Sequence, residues 1–218
     1  MKKGLLFLCA AVMLSAIAAY PVSAKDDWEW WDEIGISRKL NDSTKLTFTS
    51  ETRSRDDMGE LYLYNYTVGT KLTCRKWLDL GFYLKNEEEK VSGSYRHEDR
   101  PEIDVIFKWA QQRFSLSDRS KFEYRMIAKK DPYLNYRNKL EVSFPGKVCS
   151  FGFNCVVSEE FFYDFSAEDF NQNRMIAGLN KKITGRLVLD LGYMYRTKKS
   201  SGKWTGANVL VTKFGFAF

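Results

Sequence analysis

From residue 28 onward apolar and polar positions alternate along the chain. In TKLTFTSETRSR (44–55), Leu46 and Phe48 point one way while Lys45, Thr47, Thr49, Glu51, Arg53 and Arg55 point the other. LYLYNYTVGTKL (61–72) sets Tyr62, Tyr64, Tyr66 and Val68 against Asn65, Thr67, Gly69 and Lys71. WLDLGFYLKNE (77–87) sets Leu78, Leu80, Phe82 and Leu84 against Asp79, Gly81, Tyr83, Lys85 and Glu87. SKFEYRM, NKLEVSF and RLVLDLGYMYR repeat the pattern at 120–126, 138–144 and 186–196. A period of two marks strands whose faces meet different surroundings. Helical periodicity is absent. Eleven such segments are read, near 28–40, 44–55, 60–73, 77–88, 98–109, 113–128, 134–145, 151–164, 172–183, 186–197 and 205–218. They form one continuous β domain over residues 25–218.

Two all-β architectures alternate in this way. A soluble sandwich or barrel buries its apolar face; a transmembrane barrel turns that face to lipid and its polar face inward. Three features favour the second. Trp28, Trp30, Tyr64, Tyr193 and Tyr195 sit at the ends of apolar stripes, where amphipathic rings suit a membrane interface. The segments exceed the five or six residues of ordinary strands and match the length that crosses a bilayer at a tilt. The polar faces carry dense charge of both signs, suited to a paired interior. The connections NDS, CRK, AQQ and TG look tight, whereas RDDMGE, NEEEKVSGSYRH, KKDPYLN, DFSAEDFNQ and KKSSGK look longer. Short periplasmic turns and longer extracellular loops are therefore expected. Bacterial single-chain barrels have even strand numbers, so the expectation is a single antiparallel barrel of about twelve strands, with ten as the runner-up, and 98–128 as the stretch with the least distinct boundaries.

Residues 1–24, MKKGLLFLCAAVMLSAIAAYPVSA, have the basic start, apolar run and small-residue end of a cleaved secretory signal peptide. Removing them takes Lys2 and Lys3, so the net charge of +6 falls to +4 for the rest. That mild excess, with no basic block and no Gly-rich phosphate loop, argues against nucleic acid, and no cofactor is expected. Cys74, Cys149 and Cys155 remain, an odd number that makes no disulfide framework, although Cys149 and Cys155 flank a turn close enough to pair.

The chain ends LVTKFGFAF, with Phe214, Phe216 and Phe218 two apart. A last strand of this kind looks like the address by which the barrel-assembly machinery recognises its clients, although Lys213 stands where that signal usually has Gly. The opening Trp-rich strand into ISRKLNDSTKLTFTSETRSR, RHEDRP with SDRSKFEYR, EEFFYDF, and FNQNRMIAGLNKKI leading to LDLGYMYR follow one another in an order that resembles the domain of unknown function 2490 family of uncharacterised outer-membrane barrels. The resemblance implies a Gram-negative outer-membrane protein in contact with lipid and lipopolysaccharide. It implies no reaction and no ligand.

The candidate site is the lumen. By strand parity Glu51, Arg53, Arg55, Glu123, Arg125, Arg137, Glu141, Glu160, Arg174, Asp190 and Arg196 face inward. They read as a charge-paired core, with a narrow anion-leaning pore as the competing function. A lipid-modifying enzyme is an alternative of another class: His97, the sole histidine, lies near Ser92, Ser94, Glu98 and Asp99. A partner-binding or structural barrel is the third. No catalytic residue is assigned, and no metal site, since one His and scattered Cys give no ligand spacing.

Overall fold

The computed structural model describes residues 23–146 and 152–218, so most of the expected signal segment lies outside the described residues. Eleven strands form in sequence: β1 (Ser23–Lys39), β2 (Thr44–Arg55), β3 (Glu60–Arg75), β4 (Leu78–Val91), β5 (Ser94–Ala110), β6 (Ser115–Ile127), β7 (Tyr133–Phe144), β8 (Asn154–Asp164), β9 (Asp169–Lys182), β10 (Leu187–Ser200) and β11 (Lys203–Ala217). Each pairs with its neighbour antiparallel, and β1 closes the barrel on β11.

That closure corrects the expected strand number. β1 and β11 run parallel, with Ile34 opposite Phe214 and Gly35 opposite Gly215. A parallel seam lets an odd number of strands close, so eleven segments read from the sequence need neither splitting nor merging. It also sends the two ends of the barrel wall to opposite rims. We call the rim where β1 begins the N-terminal rim and the one where β11 ends the C-terminal rim. At the latter, Phe218 N–H donates to Ser37 O at 2.9 Å, and Lys39 N–H donates to Phe218 O at 3.3 Å.

The expected contrast of short turns and long loops is also corrected. At the N-terminal rim β4 and β5 join through Ser92 and Gly93 alone, and β10 and β11 through Ser201 and Gly202. Ser92 has φ 51° and Gly93 φ 86°; Ser201 has φ 50° and Gly202 φ 78°. Two successive positive φ values make the two-residue turn whose twist matches a hairpin, and Ser-Gly tolerates them. NEEEKVSGSYRH and KKSSGK, which read as loops, are hairpin ends that continue as strand. At the C-terminal rim β7 ends at Phe144 and β8 begins at Asn154. Cys155, next to Asn154, is disulfide-bonded, Cys74 is free and exposed, and Cys149 falls outside the described residues.

The wall is apolar outside. Val68, Leu84, Ile103 and Leu140 are all more than 40% exposed although they lie in mid-strand. Aromatic rings gather near both rims. Toward the C-terminal rim Trp77 stacks on Phe107 with centroids 6.0 Å apart, and Trp109 meets Phe114 at 6.2 Å. Toward the N-terminal rim Tyr64 meets Tyr95 at 5.6 Å, Trp28 meets Tyr193 at 6.2 Å, and Tyr163 meets Phe170 at 5.0 Å. One face expectation fails. Opposite Arg53 and Ser54, β3 carries an extra residue, so the register steps from Leu63 to Leu61. The bulge changes the phase, and Tyr62 turns inward, where its hydroxyl donates to Glu29 Oε2 at 3.0 Å.

Candidate functional site: the filled lumen

What fills the barrel is chiefly charge. Strand alternation delivers one inward side chain every second residue from each strand, and in this chain most of those are ionic. Unpaired charges in such a space are costly, so each must find counter-ions and hydrogen bonds. Arg100 on β5 donates to Glu98 at 2.7 Å and to Glu87 on β4 at 3.0 Å. Arg125 on β6 makes two 2.7 Å bonds to the oxygens of Glu98, the forked geometry in which guanidinium best matches carboxylate. Arg137 on β7 bridges Glu123 at 2.7 Å and Glu160 at 2.8 Å. Glu160 on β8 also receives Arg119 at 2.8 Å and Arg174 at 3.3 Å. Asn65 donates to Glu51 and Asn135 to Glu123, satisfying oxygens the arginines leave free. Lys121 pairs with Glu102, and Arg196 with Glu29.

Across this network lies a small apolar wall. Trp31, Met194 and Val209 are buried inside the barrel, with Ile176 and Val211 against them. Trp31 joins the two regions. Its indole N–H donates to Glu29 at 2.8 Å, and the guanidinium carbons of Arg53, Arg174 and Arg196 lie 3.6, 4.8 and 5.6 Å from its ring centroid. Cations over an indole face gain most where water is excluded.

Water reaches the two halves of the lumen unequally. The Arg100 and Glu87 side chains are each 7% exposed, and Arg137 and Arg53 12%. Toward the C-terminal rim Lys213, paired with Glu33 at 3.1 Å, is 44% exposed. A packed charged layer therefore stands in the half nearer the N-terminal rim, and a wetter vestibule lies beneath it. Tyr83 helps keep that vestibule open by lying flat on the wall. A Cβ at Gly69 would sit 2.2 Å from the Tyr83 ring and 2.4 Å from Phe82 O. Glycine is required there by close approach rather than by φ.

The eleven side chains that sequence parity turned inward have these places. Glu51, Arg53, Glu123, Arg137, Glu160, Arg174 and Arg196 belong to or border the packed layer. Glu141 and Asp190 lie lower, held by Lys139 at 2.6 Å and Asn180 at 2.7 Å. Arg125 caps the layer, and Arg55 sits at the N-terminal rim on Glu60 at 2.8 Å. Arg55 and Lys90 together hold the Glu60 carboxyl down at about 2. Glu29, Trp31 and Met194 were not singled out from the sequence. Their parity on their strands was the available signal: Trp31 alternates with Trp28 and Trp30 only after one step, and Met194 shares the parity of Asp190 and Arg196.

His97 is elsewhere. It pairs across the hairpin with Glu88, on the outward parity shared by Tyr95 and Ile103, beyond the last apolar pair Leu84–Pro101. Its Nδ1 lies 2.9 Å from Glu88 Oε1 and its Nε2 3.1 Å from Asp99 Oδ2. Asn86 donates to the other Asp99 oxygen at 3.0 Å. Hydrogen bonds donated by the ring to both carboxylates raise the imidazole above its ordinary value. With both ring nitrogens engaged by carboxylates, neither Ser92 nor Ser94 is hydrogen-bonded to the ring. Among the described residues no group of His, Cys, Asp and Glu has the arrangement of a metal site.

One protein-family model, described as a protein of unknown function (DUF2490), matches residues 28–207. No curated protein and no solved structure matches significantly.

Proposed function

The chain belongs to the DUF2490 family of proteins of unknown function, and from that premise we propose that it is an integral outer-membrane β-barrel whose lumen is plugged rather than conducting. The observation that carries this reading is the inversion of the wall: large apolar side chains exposed outside, ion pairs buried within. In water that arrangement would expose an apolar surface far larger than a monomeric soluble protein tolerates. In a bilayer it is the stable arrangement, with the two aromatic zones at the interfaces. Two pairs of polar groups on the outer wall satisfy each other: Asn138 donates to Asp118 at 2.6 Å and Asn173 to Glu159 at 3.0 Å. Pairing lowers the cost of facing lipid.

The C-terminal rim faces the periplasm in this reading, and Phe214, Phe216 and Phe218 serve as the assembly address on their way into lipid and lipopolysaccharide. Residues 1–24 carry the chain to export. The charged layer makes the barrel a scaffold or binding protein instead of a diffusion pore, because every route through the lumen must break buried ion pairs.

Two measurements test this. Protein extracted from outer-membrane fractions should migrate faster unheated than boiled; migration unchanged by boiling, with the protein free in the periplasm, overturns the barrel reading. Purified protein in a planar bilayer should give no steady conductance; reproducible single-channel steps would overturn the plug.

A further inference from the structure

Below the packed layer the lumen contains a cavity of about 330 Å³, within the size range of small-molecule sites. Its charge does not balance. Eight cationic side chains line it against five carboxylates that face inward, Glu33, Glu51, Glu102, Asp104 and Glu160; Glu123 on Arg137 and Glu141 on Lys139 reduce the excess to one cation. Asp32 also borders it, but has the outward parity of Trp30 and Ile34. Low-dielectric walls focus an excess of this kind onto whatever occupies the space. Lys85 is the cation most available to it. Among the described residues Lys85 makes no hydrogen bond and no ion pair within 4 Å, although it lines the cavity.

Three more polar atoms of lining residues are buried without a hydrogen bond: Arg119 Nε, Glu102 Oε1, with Arg100 Nη1 at 3.9 Å, and Asp104 Oδ1, with Lys121 Nζ at 3.5 Å. Ion pairing of those oxygens leaves Lys85 as the group that calls for an anion. Trp31, Ile176, Met194 and Val211 supply an apolar side. We propose that the cavity is a binding site for a small organic anion, a carboxylate or a phosphate, which enters through the C-terminal rim past Lys139 and Lys213. The site rests on the plugged-barrel reading above, since an open channel would pass such an ion instead of holding it.

The test is calorimetric titration of the refolded mature protein in detergent at low ionic strength, with citrate in one arm and glycerol 3-phosphate in another, and glycerol and putrescine as neutral and cationic controls. Saturable one-to-one binding of at least one anion, and of neither control, is expected. Lys85→Gln should weaken it about tenfold or more, the loss of one charge-assisted hydrogen bond. Thr67→Leu, which fills the cavity without changing its charge, should abolish it; should Lys85→Gln fail to fold, Thr67→Leu decides alone. Each sample is first checked for heat-modifiable migration. A sample that lacks it refutes the barrel. A heat-modifiable sample that binds neither anion, or binds one equally well in the folded variants, refutes the site and leaves the barrel standing.

Discussion

Arg53 lies with its guanidinium carbon 3.6 Å from the centroid of the Trp31 ring, closer than any other cation to an aromatic face among the described residues. The two come from β2 and β1, and the same ring serves Arg174 on β9, three strands away through the seam. Trp31 therefore ties the parallel seam to the charged layer. Trp31→Ala should destabilise the barrel by about 3–5 kcal/mol, as large-to-small changes in packed interiors do. Trp31→Phe keeps a ring face but removes the indole N–H bonded to Glu29, and should cost less. Urea unfolding in detergent, followed by tryptophan-independent circular dichroism, checks both.

Glu160 is the anion on which Arg119, Arg137 and Arg174 converge. Glu160→Gln preserves shape and leaves three guanidinium groups short of one charge. Breaking a buried ion pair from one side costs about 3–5 kcal/mol. The expected result is a large loss of stability with an unchanged strand content. A near-neutral effect would mean that water reaches these arginines and that the layer is not packed.

His97 provides a pH-dependent link across the β4–β5 hairpin. Its folded value is raised by Glu88 and Asp99, so its contribution is complete below the ordinary histidine value of about 6.5 and is lost as pH climbs through the raised value. Asp99 is lowered by its bonds to His97 and Asn86, so its share is present above the ordinary aspartate value and is lost as pH falls through the lowered one. Amide protection in the hairpin, taken relative to the intrinsic exchange rate at each pH, should therefore be highest between these limits and fall at alkaline pH. The chain has a single histidine, so one imidazole resonance reports the midpoint directly. A midpoint at or below 6.5 would contradict the cluster.

Strand periodicity made most of this architecture legible, because a wall with an apolar outer face and a charged interior writes its two environments into alternate residues. The eleven segments and the inward parity of Glu123, Arg137 and Glu160 follow from that alone. The seam was not legible: nothing in the residues of β1 distinguishes a parallel partner from an antiparallel one, since both offer the same faces. Hairpin ends were misread for a different reason. Ser92-Gly93 and Ser201-Gly202 are turn dipeptides, but the polar residues around them resemble loop when water lies on both sides of the strand. Tyr62 was lost to a bulge, which shifts phase without altering composition. The apolar patch of Met194, Val209 and Ile176 broke the rule of polar parity inside, and only packing against Trp31 explains it.

The parallel pairing of Ile34 with Phe214 has a consequence for topology. With eleven strands the barrel wall begins at one rim and ends at the other. If the C-terminal rim is periplasmic, the start of the mature chain is exposed outside. An epitope inserted between Ala24 and Lys25 should then be labelled by antibody on intact cells, whereas one inserted in the 41–43 turn, at the opposite rim, should be labelled only after permeabilisation. Both insertion variants need heat-modifiable migration to count as folded. The reverse pattern, with the 41–43 turn labelled on intact cells and the Ala24–Lys25 site only after permeabilisation, would overturn this orientation, and with a periplasmic C-terminus would put the two ends on one side, as only an even-stranded barrel can.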